Sequence, residues 1–274
     1  MSSQMNALLR EKEILKVSNL SISFGGLKAV DDISFLVHEK EIFGLIGPNG
    51  AGKTSVFNCI TQFYRPDGGE ILFRTNRGEV VDLVGKKVHD IISLGLVRTF
   101  QNVEVIRELS LLDNLLLGAH TEYKSSVISQ ILRLPNAKRD EREMAARAEE
   151  ILEVLGILNL RDVPAGGQSY GVLKKVELAR TLMTKPRIII LDEPAAGLDD
   201  GETLQFAETI KQIRDRYNLA ILLVEHDMRL VMGICDRVCA INFGRYLACD
   251  IPAEIQKNKH VQEAYLGEEE SDVD

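Results

Sequence analysis

The sequence predicts an α/β protein in which a mostly parallel sheet is covered by helices on both faces. Three short apolar runs, residues 41–46, 187–191 and 219–224, carry this prediction. Near-continuous hydrophobicity over four to six residues is typical of strands that are buried on both faces. A glycine-rich loop and a helix-like segment follow the first run, and a second helix-like segment separates the other two. This alternation of strands and helices builds a parallel sheet.

Ahead of this core, the sequence predicts an antiparallel sheet. Apolar and polar residues alternate over residues 14–17, 20–24 and 33–37, which is the pattern of half-buried strands. A Gly-Gly pair at 25–26 and an Asp-Asp pair at 31–32 predict turns between short strands.

Between about residues 90 and 153, the spacing of apolar residues changes from that of strands to that of helices. Leucine, alanine and charged residues recur there at helical spacing, and Pro135 is the only proline. We therefore expect an α-helical subdomain inserted at about residues 95–175 of a domain that spans residues 13–250. A helix-like segment and an acidic tail are expected over residues 251–274.

Charge and composition narrow the class of protein. The 274 residues include 33 basic and 41 acidic side chains, which give a formal net charge of −8. Six acidic residues lie within the last fourteen positions, so the rest of the chain is nearly neutral. A general nucleic-acid-binding protein normally has a basic surplus, and we expect no nucleic-acid partner. A polar N-terminus, four cysteines without a CxxC pair and no apolar stretch near the ~20 residues that cross a bilayer predict a cytoplasmic chain.

The glycine-rich loop matches the phosphate-binding pattern G-x-x-x-x-G-K-[ST] at every fixed position. Glycines allow successive backbone N–H groups to converge on phosphate oxygens, and the following helix presents the positive end of its dipole. We expect Lys53 to reach the β- and γ-phosphates and the Thr54 hydroxyl to bind Mg²⁺. The loop alone leaves GTPases, kinases and ATPases open. Its expected nucleotide-binding residues are Gly47, Pro48, Asn49, Gly50, Ala51, Gly52, Lys53, Thr54 and Ser55.

The segment RIIILDEP, residues 187–194, favours nucleotide hydrolysis. Its apolar run places Asp192 at the C-terminal edge of a buried strand, where ligands bind in open α/β sheets. From this edge, Asp192 can hold Mg²⁺ through water. Glu193 can then polarise the attacking water.

Four more motifs accompany these two. They are RTFQ (98–101), QSYGVLKKVELAR (168–180), GLD (197–199) and VEHD (224–227). In this order and spacing, the set resembles the ATP-binding subunit of an ABC transporter over about residues 13–267. The resemblance implies a P-loop (RecA-like) nucleotide-binding core with an antiparallel β subdomain and an inserted α-helical subdomain. It also implies ATP and Mg²⁺ as ligands.

The resemblance assigns roles to single residues. Gln101 falls at the family's Q-loop, where a flexible amide senses magnesium and the γ-phosphate. His226 falls at the switch position, where an imidazole can donate a hydrogen bond to the γ-phosphate. Phe24 resembles the adenine-stacking residue, although a lone phenylalanine is equally compatible with the core. The implied catalytic residues are Glu193, His226, Gln101 and Lys53, and the implied metal-binding residues are Thr54, Gln101 and Asp192.

The signature segment, residues 168–172, departs from the family's usual LSGGQ. Ser169 still offers a hydroxyl and Gly171 still allows close backbone approach at a helix start, which suits a phosphate of the nucleotide on an opposite subunit. The glutamine and valine at the two ends of the segment replace a leucine and a glutamine, so weaker engagement and an asymmetric pair of ATP sites remain an open hypothesis. Asp199 matches the D-loop aspartate, which is expected across the same subunit interface.

Within the family, FGGLKAVDD (24–32), FYRPDGGEI (63–71) and EAYLG (263–267) look most like the ATP-binding subunits of branched-chain amino acid importers. The implied partners are a second ATPase subunit, identical or different, integral membrane permease subunits and, indirectly, a substrate-binding protein. The implied location is peripheral, on the cytoplasmic face of the inner membrane. A lipid or lipopolysaccharide exporter ATPase subunit and a soluble ABC-type ATPase without a transport role are the alternatives.

Overall fold

The computed structural model describes residues 9–99, 104–119 and 135–269, with side chains up to residue 265. The chain divides into two compact units. The first contains the described residues up to Arg98, then Arg187–Ala195 and those from Ile213 onward. The second contains the described residues of Thr99–Pro186 and Ala196–Gln212.

Strands and helices alternate over residues 188–242, as the sequence predicts for an α/β protein. The strands are β1 (Glu13–Phe24), β2 (Leu27–His38), β3 (Ile42–Ile46), β4 (Gly68–Arg74), β5 (Val80–Asp82), β6 (Leu96–Arg98), β7 (Ile188–Asp192), β8 (Ala220–Val224), β9 (Arg237–Asn242) and β10 (Arg245–Asp250). The α-helices are α1 (Lys53–Ile60), α2 (Val88–Leu94), α3 (Leu111–Gly118), α4 (Pro135–Val154), α5 (Tyr170–Met183), α6 (Asp200–Tyr217), α7 (Met228–Ile234), α8 (Pro252–Lys257) and α9 (Lys259–Glu269).

A six-stranded sheet in the order β10-β9-β3-β8-β7-β6 forms the centre of the first unit. Its strands β9, β3, β8, β7 and β6 are parallel, and β10 closes one edge in the antiparallel direction. Every residue of β3, β7 and β8 is buried, as their unbroken apolar runs predict. The predicted α/β class is confirmed, and the carboxyl ends of β3, β7 and β8 share one edge of the sheet.

A second sheet, antiparallel and in the order β2-β1-β4-β5, also belongs to the first unit. Here the predicted turn at residues 31–32 is wrong, because β2 runs unbroken through both aspartates. Asp32 adopts a φ of 61°, and the pairing of β1 with β2 changes register beside it, so the pair forms a β-bulge. The Asp32 backbone N–H donates to Ser21 Oγ at 3.0 Å, and its carboxylate accepts from the Asn19 side chain at 2.8 Å. The pairing of β1 with β2 therefore continues past the extra residue and does not end in a turn.

The second unit is helical in its described part. Helix α3 is capped by Ser110, whose hydroxyl accepts the Asp113 backbone N–H at 3.0 Å. Helices α3 and α5 approach closely at Gly118. A Cβ on this residue would lie only 2.5 Å from the Arg180 side chain. Arg147 of α4 donates to the carbonyl of Leu182 in α5 at 2.8 Å. No helix in the described part of the chain combines the length and the apolar character needed to span a bilayer.

Candidate active site

The loop between β3 and α1 needs glycine where other backbone crosses it. A Cβ on Gly47 would lie 2.2 Å from the Ile241 carbonyl oxygen, and a Cβ on Gly52 would lie 2.5 Å from that of Ala29. Gly52 also has a φ of 101°, which side chains rarely adopt. The loop therefore packs tightly between the backbones of β2 and β9, and these two strands restrict its shape.

Lys53, the first residue of α1, folds its side chain back into this loop. Its Nζ donates to the carbonyl oxygens of Gly47 at 2.5 Å and Pro48 at 2.9 Å. The residue is only 6% exposed. A buried ammonium needs such partners, and the arrangement places a positive charge inside the loop at the N-terminus of a helix.

Two loops at the carboxyl edge of the sheet bring Glu193 and His226 together. Glu193 directly follows β7, has a left-handed φ of 48° and donates its backbone N–H to the Val224 carbonyl at 2.9 Å. Oε1 of Glu193 lies 2.8 Å from Nε2 of His226. Both side chains are partly exposed, so the pair can meet a ligand at this edge.

A second carboxylate, that of Glu225, connects these two loops. It is 4% exposed and accepts the backbone N–H groups of Ala195 at 2.7 Å and His226 at 2.9 Å. Burial raises the pKa of its carboxyl above the usual value. The backbone N–H donors act against this rise, and the nearby charge of Glu193 adds to it. Glu225 is not among the residues predicted from the sequence, although its position between a buried strand and His226 is a signal that could have identified it.

Asp192 is the last residue of β7 and is 3% exposed. Its Oδ2 accepts a hydrogen bond from Nη2 of Arg98 at 2.5 Å. Arg98 also donates from Nη1 to Oδ1 of Asn58 at 2.6 Å. The carboxylate that is predicted to bind metal is thus held by an arginine to which the sequence analysis gave no role.

A cavity of about 520 Å³ opens beside the loop, which is a size that suits a small-molecule ligand. Leu27 and Phe243 are 73% and 82% exposed and give it an apolar part that the sequence analysis did not predict. Phe24 is not among the lining residues; it is 44% exposed and packs edge-on against Tyr64. The cavity is lined by Leu27, Lys28, Ala29, residues 49–55, Glu193, His226 and Phe243.

The remaining predicted residues lie elsewhere. Ser169, Gly171 and Asp199 belong to the second unit, and Gln101 lies outside the described residues. Ser169 is the N-cap of α5, and its hydroxyl accepts the Val172 backbone N–H at 3.4 Å. A carboxyl oxygen of Asp199 accepts the Glu202 backbone N–H at 2.8 Å, and the Glu202 carboxylate accepts that of Asp199 at 3.3 Å. This reciprocal pair fixes the start of α6.

Among α/β folds, a phosphate-binding loop ahead of a helix defines the P-loop nucleotide hydrolases, and the Glu193–His226 pair lines the cavity beside this loop. The comparisons with known proteins specify the family. Residues 30–196 match the family model described as ABC transporter. The chain belongs to the ABC transporter family, as an ATP-binding and ATP-hydrolysing subunit.

The C-terminal part and individual relatives give a finer likeness. Residues 247–271 match the model described as branched-chain amino acid ATP-binding cassette transporter. The high-affinity branched-chain amino acid transport ATP-binding protein LivG of Salmonella typhimurium is 45% identical over 255 residues, which are 93% of this chain and 98% of LivG. The corresponding protein BraF of Pseudomonas aeruginosa is 43% identical over 257 residues, 94% of this chain and 99% of BraF.

A solved structure has the same architecture. It is an ATP-binding cassette of an ABC transporter, crystallised in its ADP conformation. The two chains share 31% sequence identity with a TM-score of 0.79, over 93% of this chain and 99% of the other. The predicted P-loop core is therefore confirmed at the level of the fold.

Proposed function

We propose that this chain hydrolyses ATP to drive the import of branched-chain or related amino acids through integral membrane permease subunits. The observation that carries the substrate class is the 45% identity to LivG over 93% of the chain, together with the match of residues 247–271. The chain itself does not contact the cargo. It supplies the energy.

The glycine-rich loop binds the phosphates together with Lys53. Its ammonium rests on the carbonyls of Gly47 and Pro48, and both are weaker partners than a phosphate oxygen carrying negative charge. When a triphosphate enters, Lys53 exchanges these carbonyls for the β- and γ-phosphates. Leu27, Ala29 and Phe243 then offer apolar contacts to the nucleoside.

The residues near the loop fit a magnesium ion. Thr54 lies in the first turn of α1 and lines the cavity, and Asp192 ends the strand at the same edge of the sheet. Mg²⁺ binds in such sites through one or two protein oxygens, water and substrate phosphates, and it would neutralise charge on the phosphate oxygens. Among the described residues, no group of three or more His, Cys, Asp and Glu side chains forms a separate metal site. Thr54, Asp192 and Gln101 are the proposed ligands, directly or through water.

Glu193 is the proposed base and His226 its partner. An ionised carboxylate can only accept hydrogen bonds, so the 2.8 Å contact orients the Glu193 carboxylate through the Nε2 proton of His226. Glu193 then takes a proton from the attacking water. The water oxygen bonds to the γ-phosphorus while the bond to the bridging β-phosphate oxygen breaks, so that ADP leaves. His226 is positioned to turn its Nε2 proton toward the γ-phosphate oxygens during this step.

A second ATPase subunit completes the proposed site. Ser169 and Gly171 lie at the N-terminus of α5, where backbone N–H groups attract anions, and Asp199 lies at the start of α6. In the proposed dimer these residues face the nucleotide of the opposite subunit. ATP stabilises the closed dimer because it binds that state better than the separate subunits. The assembly lies on the cytoplasmic face of the membrane, with a substrate-binding protein delivering cargo on the other side.

The test is capture of the intact assembly followed by transport. The chain is tagged in its own cells, membranes are solubilised gently, and the proteins that come with it are identified. We expect permease subunits and a second ATPase chain. Cells that carry only Lys53→Met should lose uptake of labelled leucine, while Lys86→Met, a change at a half-buried lysine that does not line the cavity, should keep it. Normal leucine uptake with Lys53→Met contradicts the proposal.

A further inference from the structure

Arg98 connects two elements of the nucleotide site that are distant in sequence. It ends β6, and β6 pairs in parallel with β7, so Arg98 lies opposite Ile190 and near the carboxyl edge of the sheet. Nη2 donates to Oδ2 of Asp192 at 2.5 Å, and Nη1 donates to Oδ1 of Asn58 at 2.6 Å. Asn58 lies on α1, one helical turn after Thr54.

The bridge is shielded from solvent. The side chain of Arg98 is 14% exposed and that of Asp192 is 4% exposed. Burying a carboxylate without a charged or hydrogen-bonding partner is costly. Within the described residues, the Arg98 guanidinium is the one group that donates a hydrogen bond to this carboxylate.

The bridge uses only one oxygen of the carboxylate. Arg98 contacts Oδ2, and no donor among the described residues contacts Oδ1. A planar guanidinium anchored at both Nη atoms has little freedom to turn. Arg98 therefore holds the carboxylate in one orientation, with its second oxygen available to another ligand.

We propose that Arg98 is a positioning residue for the magnesium ion of the nucleotide site, acting through Asp192. The proposal rests on the proposed function of Asp192 as a metal-binding residue. Without Arg98, nothing among the described residues holds the carboxylate in this orientation, and it can turn its oxygen away from the metal. Asn58 contributes by fixing the other arm of the guanidinium.

The test separates nucleotide binding from its dependence on metal. Binding of a non-hydrolysable ATP analogue is measured by calorimetry in EDTA and at increasing Mg²⁺ concentrations. Wild type should bind more tightly with Mg²⁺. In Arg98→Met, affinity in EDTA should stay within about twofold, while the gain from Mg²⁺ should fall by about tenfold. Arg98→Lys, which keeps the charge but loses the two-armed geometry, and Asn58→Ala should show smaller losses in the same direction.

Arg187→Met is the matched control. Arg187 precedes β7 at its opposite end, where its guanidinium pairs with Glu39 and donates to the Thr75 carbonyl at 2.9 Å. This variant should lose stability but keep the full Mg²⁺ effect. If Arg98→Met does not fold, the Lys and Asn58 variants decide the matter.

Two results overturn the role of Arg98. One is an unchanged Mg²⁺ effect in the Arg98 and Asn58 variants, which would make the bridge purely structural. The other is tighter Mg²⁺-dependent binding, which would mean that Arg98 competes with the metal. If wild type itself gains nothing from Mg²⁺, the proposed metal site fails rather than the role of Arg98 alone.

Discussion

Nε2 of His226 lies 2.8 Å from Oε1 of Glu193, so the imidazole and the proposed catalytic carboxylate form one hydrogen-bonded pair. The backbone of each partner is also anchored. Glu193 donates to the carbonyl of Val224, and His226 donates to the buried carboxylate of Glu225. The pair is therefore held through both its side chains and its backbone.

His226→Ala removes the donor that orients the Glu193 carboxylate. We expect hydrolysis by the assembled complex to fall by about 10²-fold, the lower range for a positioned catalytic group. ATP affinity should change much less, because Lys53 and the loop remain intact. Equilibrium binding and single-turnover hydrolysis measure the two effects separately. Equal losses in affinity and rate would place His226 in nucleotide binding instead of hydrolysis.

Gly197→Ala should destabilise the second unit more than its backbone angle alone requires. Gly197 has a φ of 83°, and a Cβ there would lie 2.9 Å from the ring of Tyr170. We expect a loss of about 2–4 kcal/mol in the free energy of unfolding, combining a left-handed backbone with a steric clash. Urea unfolding measures this loss.

Gly156→Ala is the control for the backbone term. Gly156 has a φ of 68° and nothing within 4 Å of the position of a Cβ, so its cost should be about 1–2 kcal/mol. In a Tyr170→Ala background, the cost of Gly197→Ala should approach that of the control, since the clash is gone. An undiminished cost in that background would show that Tyr170 is not the cause.

Glu225 should make the free energy of unfolding depend on pH. Burial raises the pKa of this carboxyl above its ordinary value of 4.5 in the folded chain. Between that value and the raised pKa, the folded state binds more protons than the unfolded state, so stability falls as pH increases. Glu225→Gln removes this term.

The pH effect is measured as a difference. Urea unfolding of wild type and Glu225→Gln is compared from pH 4 to pH 7, so that the other titrating groups cancel. We expect wild type to lose stability relative to the variant as pH rises. A difference that is constant, or that moves in favour of wild type, refutes the account of Glu225.

Functional residues can be predicted from the sequence where they belong to short local motifs. Lys53 and Asp192 are recognisable because a glycine-rich loop or an apolar strand stands directly beside them. Their convergence also follows from the sequence, since parallel strands end at a common edge of the sheet. His226 follows a third strand of this kind.

Contacts that depend on sheet order and register are not visible in the sequence. Arg98 meets Asp192 only because β6 is the neighbour of β7, and β6 lies inside a region whose texture predicts helix. Phe243 reaches the cavity from the β9–β10 turn, far along the chain from the loop. The Asp-Asp pair predicts a turn locally, but pairing with β1 keeps Asp32 within β2 as a bulge.

Glu193→Gln tests the central claim most directly. The amide keeps the size of the side chain and can still contact His226, but it cannot take a proton from water. The purified complex with this variant should bind ATP with the affinity of wild type. Its single-turnover hydrolysis should be slower by about 10²–10⁴-fold, leaving an ATP-bound, closed dimer. Hydrolysis at the wild-type rate in the Gln variant would contradict the assignment of Glu193 as the base.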